Sequence, residues 1–237
     1  MKTLIIIPAY NEAESISTVI KSLHHEVPNA HILVVNDAST DNTSFIASST
    51  NIAHIIDLPA NLGIGGAVQT GFKYAAAENF DIALQFDGDG QHLASEIKVL
   101  IKPILEQKAD VVIGSRFLDK NYKGFKSSFA RRIGIHIFGI VNSIIIRQRI
   151  TDNTSGFRAY NKNAIQFLAK NYPTDFPEPE AVILLGKNNF TLIEIFTKMK
   201  ERKNGVSSIS SGDSFYYMIK VLLAVFINAI RPPIPME

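Results

Sequence analysis

The chain contains no cysteine, which excludes disulfides and thiol chemistry and is compatible with a reducing compartment. Its net charge is only +2, so whole-molecule electrostatics give no case for a nucleic-acid partner. Long hydrophobic runs are also lacking. The apolar stretch at residues 4–7 is too short for a signal peptide. Residues 215–230, apolar nearly all round apart from Lys220 and Asn228, would extend about 24 Å as a helix. That is short of the roughly 30 Å of a bilayer's hydrocarbon layer. There is no internal repeat and no low-complexity segment. The glycines of Asn61-Leu62-Gly63-Ile64-Gly65-Gly66 lack the lysine of a Walker loop. They also break G-x-G-x-x-G at Val68, so they support neither a Walker nor a dinucleotide site.

What remains is an ordinary globular composition, 46% hydrophobic and 19% charged, in a length suited to one sizeable core. Short apolar runs at 4–7, 32–35, 54–58, 82–86 and 111–113 read as buried strands, each ended by a polar or glycine-containing turn. Helical patterns fall between them at 12–25, 66–77 and 95–107. This alternation predicts an α/β fold with a mainly parallel sheet covered on both faces. Ligands of such sheets bind at the carboxyl ends of the strands, so the turns that follow the strands carry the information.

The turn after the fourth strand is Asp87-Gly88-Asp89-Gly90-Gln91-His92. Two carboxylates one residue apart, with glycine between and after them, let the backbone turn sharply and bring oxygens to one point. Such oxygens suit a hard divalent cation, Mg²⁺ or Mn²⁺, and Gln91 adds an amide oxygen. A lone D-x-D is also what a solvated acidic turn looks like; the strand end gives this one its weight. His92 reads as structural or exposed rather than as a ligand. On the same edge, Asp37 can accept hydrogen bonds from a base or ribose, and Tyr10 offers an aromatic face. Glu12 either reaches a ribose hydroxyl or supplies negative charge to a helix's first turn, and Asp41 reads as a turn or cap residue. Glycines 63–66 fit tight packing of a helix start.

Beyond Gly114 the pattern changes. Residues 128–147 read as a helix with a broad apolar surface and a narrow polar stripe. Basic residues crowd this region: Arg116, Lys120, Lys123, Lys126, Arg131, Arg132, Arg147 and Arg149 against one acid, Asp119. A second cluster holds Lys198, Lys200, Arg202 and Lys203. Such patches suit a phosphate or an acidic lipid surface, although any single lysine is more often merely solvated. The two apolar helices, 128–147 and 215–230, either lie in a membrane interface or cover the sheet and each other.

With these residues in hand, the sequence resembles the family-2 glycosyltransferases, within them the dolichol-phosphate mannose synthase and bacterial polyprenyl-phosphate glycosyltransferase branch. The matching pieces are Pro8-Ala9-Tyr10-Asn11-Glu12, Asn36-Asp37-Ala38-Ser39-Thr40-Asp41, Asn61-Leu62-Gly63 and the acidic turn. Further on come Gly114-Ser115-Arg116-Phe117, Thr154-Ser155-Gly156-Phe157-Arg158 and a late block from Met199 to Ser207. The last two point to lipid-phosphate acceptors.

The resemblance implies a GT-A, Rossmann-like fold in a domain spanning 1–213, followed by an interfacial helix at 214–231. Pro8, Tyr10, Glu12, Asp37, Asp87 and Gly88 would surround the nucleotide sugar, and Asp87, Asp89 and Gln91 would hold the metal. Arg116 and Arg202 would contact phosphates, and Arg131, Arg132 and Ser207 would receive the lipid phosphate. One departure touches that last contact. Relatives tend to carry a serine one helical turn after the arginine, where this chain has Ile135 and His136. Asp152, Ser155 and Arg158 are expected to organise the acceptor side, with a structural role as the alternative for Asp152 and Arg158. Glu178 and Glu180 are expected either at a helix cap or in catalysis.

The implied partners are a nucleotide-sugar donor, uridine expected over guanosine, a polyprenyl phosphate acceptor and the cytoplasmic face of a membrane. Relatives often continue into two or more spans; with one short apolar helix here, a small membrane-protein partner is expected. The rival enzymatic reading is transfer to a sugar hydroxyl of a growing glycan, and the non-enzymatic one is an inactive membrane-associated binding protein. A sugar-1-phosphate nucleotidyltransferase would place a Gly-rich basic loop after the first strand, where Pro-Ala-Tyr-Asn-Glu stands instead.

Overall fold

The computed structural model describes residues 1–119, 139–140, 142–200, 220, 223, 227 and 230–234. Arg131, Arg132, Arg202 and Ser207, with most of the two expected interfacial helices, lie outside the described residues.

Seven strands form one sheet: β1 (Thr3–Ala9), β2 (His31–Asn36), β3 (His54–Asp57), β4 (Ile82–Gln85), β5 (Val111–Ser115), β6 (Arg158–Asn161) and β7 (Leu192–Phe196). Their order is β3-β2-β1-β4-β6-β5-β7. All pairings are parallel except those of β6, which runs antiparallel to both β4 and β5. The mainly parallel sheet expected from the alternation is therefore present, in the Rossmann-like arrangement.

Strand periodicity fills two cores. Successive side chains point to opposite faces, so Leu4 and Ile6 of β1 join one apolar cluster while Ile5, Ile7 and Ala9 join the other. Helix α1 (Ile16–Glu26) buries Ile16, Val19, Ile20 and Leu23, a single stripe at helical spacing, on the second cluster. Each such side chain contributes about 1.5–3 kcal/mol on burial. Helix α4 (Ile97–Leu105) packs on the same face. Helices α3 (Gly63–Ala77), α5 (Lys162–Asn171) and α6 (Pro177–Lys187) cover the other.

Three features differ from the sequence expectation. Helix α1 begins at Ile16, not 12, because residues 12–15 form a turn held by neighbouring loops. Glu12 therefore lies outside the helix's first turn, and its carbonyl accepts the Ile16 N–H at 2.9 Å. The six-residue α2 (Thr43–Ser48) is too short for periodicity to reveal. The strands β6 and β7, with α5 and α6 between them, return the chain to the sheet where the sequence showed only a change of pattern.

Helix α3 starts at Gly63, and Gly65 meets the chain ahead of α6. A Cβ there would stand 2.6 Å from the Thr174 carbonyl oxygen, so tight packing does account for that glycine.

Candidate active site

The carboxyl ends of β1 and β2 are tied together by side chains that bond the neighbouring turn's backbone. Asn11 and Ala38 both sit at φ 55°, a left-handed conformation that costs a non-glycine residue roughly 1–2 kcal/mol. Asn11 Oδ1 accepts the Thr40 N–H at 2.8 Å, and the Asn11 N–H donates to Ser39 Oγ at 3.0 Å. The Glu12 N–H donates to Thr43 Oγ1 at 2.8 Å. Asp41 is a turn residue, as expected: it accepts from the Thr43 N–H and hydroxyl and from the Ala13 N–H. Burial pushes its carboxyl up, but these bonds outweigh that and hold it below the ordinary range.

Asp37 is buried, and its Oδ1 accepts the Leu62 N–H at 2.7 Å while its own N–H donates to Ala9. It thus joins the loops after β1, β2 and β3. Tyr10 is exposed beside this edge, and Pro8, still within β1, is half-buried.

The acidic turn follows β4. Asp89 Oδ1 accepts the Gln91 N–H at 3.0 Å, closing an Asx turn. Ser15 Oγ stands 2.7 Å from the Gly88 carbonyl oxygen and 2.9 Å from Glu12 Oε2, which brings Glu12 and Gly88 together. Asp87 is half-buried, with Oδ2 2.9 Å from His92 Nε2. His92 is itself buried rather than exposed.

Among the described residues no group of three His, Asp or Glu side chains converges on a metal position. Two carboxylates and one amide oxygen in a single turn still fit Mg²⁺ or Mn²⁺, which bind one or two carboxylates and complete their shell with water and substrate phosphate.

Of the residues expected on the acceptor side, Asp152 and Arg158 are buried charges. Asp152 is fully buried and accepts from Arg116 three times: from Nε at 2.7 Å, from Nη2 at 2.7 Å and from the backbone N–H at 3.1 Å. Burial lowers the pKa of the Arg116 guanidinium, but Asp152 and then Asp87 raise it further and keep the charge in place. Arg158 is also fully buried and donates to three backbone carbonyls: Ser155 at 2.7 Å, Asn153 at 2.8 Å and Glu178 at 3.0 Å. That is the structural alternative for Arg158. It pins the 153–158 loop to the start of α6. Ser155 Oγ accepts the Phe157 N–H at 3.3 Å within that loop.

The two acids of α6 separate. Glu180 Oε1 accepts the Phe176 N–H at 2.9 Å, the capping role. Glu178 instead faces the sheet edge, with Oε1 3.4 Å from Gln85 Nε2. Burial pushes its carboxyl up, Arg158 opposes this and Asp87 adds to it. A cavity of about 390 Å³ bordered by Glu180, Lys187 and Arg231 includes no residue of the acidic turn.

Two residues escaped the sequence reading. Glu194 of β7 accepts the Thr151 hydroxyl at 2.9 Å and the Asp152 N–H, and burial pushes its carboxyl up. An acid inside the apolar run Leu192-Ile193-Glu194-Ile195-Phe196 was the available signal. Gly156 lies directly against Asp87: a Cβ there would stand 2.7 Å from Oδ1 and 2.9 Å from Oδ2. Nothing in the local sequence announces that approach.

Comparison with known proteins follows the same lines. The family profile for Glycosyl transferase family 2 matches residues 4–168. The UDP-N-acetylglucosamine–dolichyl-phosphate N-acetylglucosaminyltransferase of Methanococcus voltae is 34% identical over 214 residues, 81% of this chain and 82% of that protein. The polyprenol monophosphomannose synthase of Mycolicibacterium smegmatis is 27% identical over 235 residues, 93% of this chain and 85% of that one. In fold, the chain is similar to glucosyl-3-phosphoglycerate synthase from Mycobacterium tuberculosis, solved with Mn²⁺, uridine diphosphate and phosphoglyceric acid. The TM-score is 0.71, at 15% identity, over 98% of this chain and 79% of that one.

Proposed function

This chain belongs to glycosyl transferase family 2 and is a glycosyltransferase, and from that premise we propose that it moves a sugar from a nucleoside diphosphate, uridine rather than guanosine, onto a polyprenyl phosphate with inversion at the anomeric carbon. The observation that carries this reading is the contact between halves: the donor-side carboxylate of Asp87 is seated on Gly156 of the acceptor-side loop. The two lipid-phosphate transferases above, which carry different sugars, support the acceptor class and leave the sugar open.

Asp87, Asp89 and the Gln91 amide are the residues that would hold Mg²⁺ or Mn²⁺, whose chemistry there is charge neutralisation on the leaving diphosphate. Pro8, Tyr10, Glu12, Asp37 and Gly88 surround the nucleotide sugar. Arg116, fixed by Asp152, and Arg202 meet the phosphates, and Arg131, Arg132 and Ser207 receive the lipid phosphate. That phosphate has a second pKa near 6, so its oxygen is already largely anionic at neutral pH and needs little general-base help. Its oxygen bonds to the anomeric carbon as the bond to the diphosphate breaks. The protein's part is positioning and charge.

Exposed Ile140 and Ile144, and exposed Leu223, Ile227 and Ile230 at helical spacing, suit a peripheral seat on the cytoplasmic face of a membrane, beside a small membrane partner. No helix among the described residues is long and apolar enough to cross a membrane.

A second reading, transfer to a sugar hydroxyl, is favoured by one observation: Glu178, a carboxylate of raised pKa close enough to Asp87 to feel its charge, is the base such an acceptor needs. One experiment separates the readings. A panel of UDP- and GDP-sugars is incubated with undecaprenyl phosphate in detergent, and in parallel with an oligosaccharide, with Mn²⁺ present. Lipid-linked product of inverted configuration is expected. Product on the oligosaccharide alone transfers the assignment to the second reading. Calorimetry without nucleotide-sugar binding would leave a non-catalytic binding protein.

A further inference from the structure

We propose that His92 is a positioning residue for the donor site, acting through Asp87 by the hydrogen bond from its Nε2 rather than by filling space. The inference rests on the transferase reading above and adds to it the residue that fixes the metal-side carboxylate.

Its ground is the way Asp87 is enclosed. Oδ2 lies 2.9 Å from His92 Nε2. An ionised carboxylate only accepts, so this nitrogen carries the hydrogen. The other ring nitrogen, Nδ1, is buried with no hydrogen-bond partner among the described residues, so the bond to Asp87 is the one polar attachment described for the ring. The ring is otherwise held by aromatic neighbours. It stacks on Phe157 at 5.0 Å and 25°, and Phe86 meets it at 5.5 Å and 66°. Phe86 and Phe157 also meet edge to face at 5.5 Å.

The three rings join both halves of the site. Phe86 precedes Asp87 in the chain, and Phe157 follows Gly156, which lies against the same carboxylate. Behind His92 the backbone is anchored by an isolated bridge to Met199 and by the Lys200 N–H donating to Gln91 O at 2.8 Å. A donor held this firmly fixes the rotation of the Asp87 carboxylate before any ligand arrives. Carboxylate ligands are oriented by outer partners in this manner, and losing one typically costs 10–100-fold in metal affinity.

Packing and hydrogen bonding make opposite predictions for two variants. His92→Phe keeps a ring between Phe86 and Phe157 and loses the donor. His92→Gln loses the ring and keeps an N–H near the place of Nε2. Calorimetry of the full chain with Mn²⁺ and UDP, and separately Mn²⁺ and GDP, reads binding without turnover.

We expect His92→Phe to weaken Mn²⁺-dependent nucleotide binding about 10–100-fold, and His92→Gln to stay within about threefold of the parent. The reverse order, Phe tolerated and Gln impaired, overturns the proposal, as does equal impairment of both. Should His92→Phe fail to fold by circular dichroism, His92→Gln decides: parent-like binding supports the hydrogen-bond role and weakened binding defeats it. A parent chain that binds neither nucleotide with Mn²⁺ sinks the transferase reading itself. Parent binding left unchanged in His92→Phe sinks only the role given to His92.

Discussion

On the proposed donor edge, loops after β1 and β2 are held by small polar side chains (Asn11, Ser39, Asp41, Thr43), each satisfying one or two backbone groups nearby. On the proposed acceptor side, residues 151–158, the same task falls to buried charges: Asp152 on Arg116, Arg158 on three carbonyls, Glu194 under residues 151–152. The first arrangement spreads its stability over many bonds worth about 1 kcal/mol each. The second concentrates it, because a buried charge that loses its partner keeps its full desolvation cost. Single losses among the small polar side chains are therefore expected to cost less than losses among the buried charges.

Four substitutions test that contrast, in falling order of effect. Asp89→Ala removes a carboxylate from the acidic turn and should lower kcat by about 10³-fold or more, the scale of losing one group that stabilises developing charge. The variant should unfold in urea like the parent. Substantial metal-stimulated turnover in this variant would remove the metal role from Asp89.

Asp152→Ala leaves Arg116 buried without its main partner and should cost about 3–5 kcal/mol in urea unfolding. A loss under 1 kcal/mol would mean that Arg116 finds water or another acid, and that the acceptor side is not the brittle half. Thr43→Ala removes the hydroxyl acceptor of the Glu12 N–H and should cost only about 1 kcal/mol. A loss as large as that of Asp152→Ala would erase the contrast.

The smallest effect has the opposite sign. The folded protein holds the Glu178 proton above the ordinary 4.5 of a glutamate. Its contribution to stability is therefore complete below pH 4.5 and is lost as the pH rises through the raised folded value. Glu178→Gln should melt above the parent at pH 7, and the gain should vanish at pH 4. A variant less stable than the parent at pH 7 would show that the ionised carboxylate is stabilising where it sits.

The same contrast explains what could be read from the residues alone. Strands β1 to β5 and helices α1, α3 and α4 follow from periodicity, and their turns carry their chemistry in contiguous letters: Asp87-Gly88-Asp89 needs no partner from afar to be noticed. Residues 151–200 are different. Strand β6 holds Arg158 and alternates poorly, since Ala159 and Tyr160 are buried on opposite faces and the arginine is buried with them. Arg158 reads as an organiser of the acceptor side or as a structural residue until its three carbonyl partners are seen. Glu178 and Glu180 look alike in Pro-Glu-Pro-Glu, yet one caps α6 and the other faces Gln85.

The α/β alternation, the sheet edge that carries the polar turns and the acidic turn at its centre are written in the chain, because each rests on residues near one another in it. Only the folded chain shows that Gly156 lies against Asp87, that His92 bonds it, and that Asp152 holds Arg116 in place. The first and the last join residues far apart in the chain, and the fold of the sheet, with β6 antiparallel beside β4, brings their atoms within range; the His92–Asp87 bond closes within one turn whose backbone the bridge to Met199 anchors.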